Sequence, residues 1–146
     1  MDPISQGVLG AAASLSVINK KKILPVMVTG AVGGMLADAD ILIRSGVDPL
    51  LALEYHRHFT HSLLFIPVGG LVAALLLWFF ARRTLDFKTL TLSTTVGYAT
   101  HGLLDACTSY GTQLFWPFST ARVAWNNVSI IDPIFTGILI AALFLA

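Results

Sequence analysis

The chain has 146 residues, 55% of them hydrophobic and 12% charged, with a mean hydropathy of +0.78. That is too apolar for a soluble domain, in which about 25% of residues are charged. A net charge of +1 with no basic stripe argues against a nucleic-acid partner, and the single Cys107 excludes an intrachain disulfide and a cysteine-rich zinc site.

The first apolar segment, residues 3–18, is short and carries Gln6 and serines, which makes it a short span or a half-inserted helix. Its basic cluster, Lys20–Lys22, follows the apolar stretch instead of preceding it, the reverse of a secretory leader. Residues 23–43, 62–81, 90–107 and 130–146 each approach the ~20 apolar residues that cross ~30 Å of hydrocarbon. The expected fold is therefore an all-α integral membrane protein, a bundle of four to five transmembrane helices forming a single multi-pass domain over residues 1–146. The apolar run stops at Ala146 without a polar cap, as it would in the N-terminal part of a longer chain or at a terminus close to the far membrane face.

Lys20, Lys21 and Lys22 lie between the first and second segments, and Arg82, Arg83 and Lys88 between the third and fourth. Six of the nine Lys and Arg residues thus share one side, which the positive-inside bias makes cytoplasmic. The opposite side collects all four histidines and seven of the eight acidic residues, Asp86 being the exception. Asp38 and Asp40 end the second segment, His56, Arg57, His58 and His61 precede the third, His101 and Asp105 end the fourth, and Asp132 starts the last.

Polar residues favour helix ends in any membrane protein, but His101 and Asp105 lie inside a span. Their i,i+4 spacing puts them on one face, and each costs ~2.5–3.5 kcal/mol there unless paired or facing a wet cavity. A His–Asp hydrogen bond is one solution. A metal site is the other, because imidazoles mixed with carboxylates suit zinc first, with manganese, iron or magnesium as alternatives. Of the loop histidines, His61 is the foremost ligand, His56 the next and His58 a solvated neighbour. Asp38 and Asp40 point to nearly opposite faces of a regular helix, so both serve one site only if the helix end unwinds or two metals are held. Arg57 offers a planar fork of donors either to an anionic substrate or to lipid headgroups. Gly30-x-x-x-Gly34 and Gly7-x-x-x-Ala11 are spacings that let membrane helices pack closely. The aromatics of residues 109–127 suit an interfacial belt, and Cys107 lacks the setting of a nucleophile.

MDPISQGVLGAA, LADADIL, HRHFTHSLLF, HGLLDACTSYGTQLFWPFS and SIIDPIF, in that order, make the chain resemble the YdjM-type membrane-bound metal-dependent hydrolases over nearly its whole length. The resemblance implies a multi-pass protein of the bacterial cytoplasmic (inner) membrane. Its matching positions are Asp38, Asp40, His56, Arg57, His61, His101, Asp105 and Asp132. Two positions depart from the pattern: Gln6 stands where some members carry histidine, and Ala37 where a proline often precedes the acidic pair.

The expected activity is metal-assisted hydrolysis of a lipid or lipid-linked phosphoester at the periplasmic or extracellular face. Asp40 takes a proton and Arg57 neutralises the phosphoester, with membrane lipids as the partners. A metal-ion or proton transporter and a non-catalytic, metal-stabilised scaffold are the rival readings.

Overall fold

A computed structural model describes residues 1–18, 22–43, 46–48 and 50–145. Lys20, Lys21 and Ala146, used above for topology and for the chain end, lie outside the described residues. The elements are α1 (Pro3–Val17), α2 (Ile23–Leu36), the five-residue α3 (Leu51–Tyr55), α4 (Ile66–Ala81), α5 (Phe87–Ala106) and α6 (Pro133–Leu145). No strand forms among the described residues; one antiparallel bridge joins Thr112 to Val123.

Each start has a local cause. Asp2 caps α1, its carboxylate accepting the Ser5 N–H with Pro3 following, and Asp86 caps α5 by accepting the Thr89 N–H. Among the described residues two helical stretches are long and apolar enough to cross a membrane, Ile23–Leu42 and Leu63–Ala81. Of the other expected spans, α5 has 20 residues but is rich in serine and threonine, and α1 and α6 have 15 and 13.

The bundle is built on α5, which packs against α1, α2 and α4, while α6 leans on α1. Small residues make this contact possible. A side chain at Gly30 of α2 would collide with Ser14 of α1, and one at Gly97 of α5 would collide with the Gly30 carbonyl, so three backbones meet at one level. Hydroxyls bind the same crossing. Ser14 reaches the Ser93 carbonyl at 2.8 Å, Thr94 the Gly70 carbonyl at 2.8 Å, and the Thr29 and Ser93 hydroxyls are 2.8 Å apart. With the crossing fixed, the C-terminal ends of α2 and α5 and the N-terminal ends of α1, α4 and α6 converge at one end of the bundle. Lys22, Arg82, Arg83 and Lys88 are exposed at the other.

Candidate metal centre

The acidic pair reaches a common site because α2 does not stay an α-helix. After Leu36 the chain continues as a 3₁₀ helix, Ala37–Leu42, which holds both carboxylates. Two residues apart are separated by about 160° around an α-helix but about 120° around a 3₁₀ helix, so the tighter winding brings Asp38 and Asp40 toward one side. It does so with Ala37 where a proline was expected. From α5, His101 and Asp105 face the same side and are fully buried, and His61 enters from the 3₁₀ turn Phe59–His61.

The hydrogen bonds decide which nitrogen of each ring is free. His101 Nδ1 faces the Gly34 carbonyl at 2.5 Å, which only accepts, so Nδ1 carries the proton. Thr60 donates its hydroxyl to Asp40 Oδ2 at 3.2 Å, so its oxygen accepts from His61 Nδ1, 2.9 Å away. In their neutral form the two imidazoles present Nε2 lone pairs, and the two Nε2 atoms stand 3.0 Å apart. Asp38 Oδ1 lies 3.2 Å from His101 Nε2 and 3.5 Å from His61 Nε2. Asp105 Oδ2 lies 3.2 Å from His61 Nε2 and 3.5 Å from His101 Nε2.

Four electron-pair donors thus converge, all within 4.8 Å of one another. A tetrahedral zinc with ligands at about 2.0–2.1 Å requires donors separated by about 3.3 Å, in the middle of these spacings. Asp105 Oδ2 is buried without a hydrogen bond. Protons on both Nε2 atoms would join the four as two His–Asp pairs, His61 with Asp105 and His101 with Asp38; one divalent cation joins all four at a single point. The residues fit a divalent metal, and the outer contacts of both histidines are those that orient metal ligands.

A second, half-open group adjoins the first. Asp38, Asp40 and His56 bring ligand atoms within 4.8 Å of one another, with His56 Nδ1 3.0 Å from Asp40 Oδ1. Arg57 is threaded between the groups. Its backbone is left-handed (φ 59°), uncommon for a residue with a side chain, and its N–H donates to Asp40 Oδ2 at 2.9 Å. Its guanidinium is buried, 2.8 Å from the Thr108 hydroxyl and 3.1 Å from Asp105 Oδ2. The other oxygen of Asp105 accepts from the Gln6 amide at 2.9 Å and is ion-paired with the Met1 amino group.

Other candidates lie elsewhere. Asp132 is not drawn into either group; its Oδ1 accepts the Ile134 and Phe135 N–H groups at 3.1 and 3.0 Å and caps α6. His58 is a ring among rings, 5.4–6.0 Å from Tyr55, Phe59 and Trp116, and burial pushes its pKa below the usual imidazole value. Cys107 donates its thiol to the Leu103 carbonyl. Three supporting residues had no site role in the sequence reading: Thr60, Thr108 and Arg122. Arg122 is exposed, its guanidinium 4.7 Å from the Tyr110 ring centre and bonded to the His56 carbonyl at 3.1 Å. A threonine beside a histidine in HFTHS was the one available hint.

The model of the family described as YdjM inner membrane protein matches residues 1–146. An uncharacterized protein of Bacillus subtilis (strain 168), YfhP, is 30% identical over 108 residues, 74% of this chain but 32% of YfhP, so the chain spans about a third of that relative's length. No solved structure matches.

Proposed function

The chain belongs to the YdjM inner membrane protein family, and from that premise we propose that it is a multi-pass, metal-dependent hydrolase whose centre faces the periplasmic or extracellular side. Its substrate is a lipid or lipid-linked phosphoester. The observation that carries this reading is the meeting of four atoms, with His61 Nε2 and His101 Nε2 3.0 Å apart and each 3.2–3.5 Å from Asp38 Oδ1 and Asp105 Oδ2.

These four would hold a divalent ion, zinc in preference to manganese, iron or magnesium because two donors are imidazoles. Such an ion supplies Lewis acidity and lowers the pKa of water from 15.7 toward ~7. Asp38 is the one member of the four whose side chain is partly exposed, at 27%, and is the ligand able to yield a position to water. Asp40, bonded to His56, would take a proton from that water, and the partly exposed imidazole would pass it to solvent. If a second ion sits at Asp38, Asp40 and His56, these side chains hold it instead; the number of bound ions separates the two arrangements. Arg57 balances the buried charge of Asp105 and fixes its direction. The exposed guanidinium beside the centre is that of Arg122, which meets the anionic group of the substrate.

Transport would need a polar route toward the basic end. The hydroxyls of Ser14, Ser93 and Thr94 there are given to backbone carbonyls, which favours chemistry at one face over a path through the bundle. Elemental analysis of the purified wild type beside His61→Ala and His101→Ala tests the centre. Both variants lose metal yet stay inserted and folded; unchanged metal in both rejects these ligands. A phosphoesterase screen with zinc, manganese and magnesium then tests the reaction.

A further inference from the structure

A cleft of about 290 Å³ opens between the end of α2 and α4, lined by Leu36, Ile43, Phe65, Val72 and Leu76, and its polar end is formed by Asp40, Thr60 and Tyr98. That end is part of the candidate centre. The Tyr98 hydroxyl donates to the Thr60 carbonyl at 2.7 Å, and the Thr60 side chain bonds Asp40 and His61. The floor is the Tyr98 ring, which packs directly on α4 because Gly69 has no side chain; a Cβ there would run into it. At the far end Val72 and Leu76 are 44% and 62% exposed on a helix apolar enough to span the bilayer, so the cleft opens sideways to hydrocarbon.

Its length matches a lipid chain. The lining from Phe65 to Leu76 covers eleven helical steps, about 16 Å at 1.5 Å per residue, or half of a ~30 Å hydrocarbon core. Two other clefts contain no residue of the centre: one of about 460 Å³ beside Leu15, Met27 and Leu143, and one of about 270 Å³ beside Leu24, Val28 and Phe80. This third cleft joins an apolar, one-leaflet-long channel to Asp40, the carboxylate bonded to His56 and Thr60.

We propose that this cleft seats the hydrocarbon tail of a phosphate-headed membrane lipid, with the head beyond the Asp40 end, toward His56 and the Arg122 guanidinium, and entry sideways from the leaflet. The proposal rests on the hydrolase reading for its choice of head group. The tail assignment rests on the cleft itself.

The test uses the full chain in phosphatidylcholine vesicles doped with a phosphatidic acid that carries a diazirine midway along one acyl chain. Photolabelling is expected to concentrate on Ile43, Val72 and Leu76, to fall several-fold in Val72→Trp and Leu76→Trp, and to be competed by unlabelled phosphatidic acid but not by glycerol phosphate. Retained metal content and an unchanged unfolding midpoint show that the tryptophan variants are folded; should one fail to fold, the other variant and the wild-type labelling map decide. Equal labelling of Leu75 and Phe79, exposed positions of α4 outside the cleft, or labelling indifferent to both substitutions, overturns the proposal. Wild-type protein without bound metal overturns the hydrolase reading instead, and the labelling still decides the cleft.

Discussion

The Nε2 atoms of His61 and His101 stand 3.0 Å apart although the residues are 40 positions apart in the chain, and the opposite nitrogen of each ring is held by Thr60 or Gly34. Two lone pairs at that distance, buried beside two carboxylates, repel one another unless a positive charge lies between them.

The ring held by Thr60 gives the first prediction. Thr60→Val keeps the side-chain shape but removes the hydroxyl that accepts from His61 Nδ1. Loss of such an outer contact weakens metal binding by roughly 10–100-fold. A metal-competition titration checks this; an unchanged affinity would mean that the hydroxyl does not orient the ring.

The two arginines near the centre should behave differently. Arg57→Met leaves Asp105 with less compensation in a buried site and is expected to cost about 3–5 kcal/mol of stability, together with metal. Arg122→Ala keeps metal and fold but loses a charged hydrogen bond to substrate, raising KM about tenfold with kcat little changed. Unfolding in detergent and steady-state kinetics on a phosphoester substrate separate these effects.

Chelation makes a third. A ligand that binds only the folded state at 100 times its dissociation constant stabilises by about 2.7 kcal/mol. Removing metal should lower the unfolding midpoint of the wild type and leave that of His61→Ala/His101→Ala unmoved. An equal response in both would place the stabilising ion elsewhere.

The helix crossing supplies a fourth. Gly97→Val forces a side chain into the Gly30 carbonyl and must part α2 from α5. The protein should unfold readily in detergent and lose metal, because α5 carries His101 and Asp105 and the 3₁₀ continuation of α2 carries Asp38. Thermal unfolding with elemental analysis measures both.

Much of this arrangement is visible in the chain because it depends on periodicity and sidedness. The i,i+4 pair in THGLLD marks two inward groups on α5, and the small-residue spacing around Gly30 marks a close crossing. The meeting of Asp38 and Asp40 required a 3₁₀ ending that their spacing demanded but no local residue guaranteed. Asp132 shares the face of the others yet is followed by Pro133, and Asp-Pro before an apolar run is a helix start, the role it takes. The partner of Arg57 could not be read, because Asp105 and Thr108 reach it only through tertiary packing and a left-handed backbone turn. Gln6 is legible as a polar residue in the first apolar segment, but its bond to Asp105 depends on how α1 crosses α5.

X-ray absorption at the metal edge of the zinc-loaded protein reads the ligand set itself. A mixed shell of imidazole nitrogens and carboxylate oxygens at about 2.0–2.2 Å is expected, with the imidazole scattering lost in His61→Ala/His101→Ala. A shell of water oxygens alone, or an imidazole signal that survives the double substitution, would contradict that ligand set.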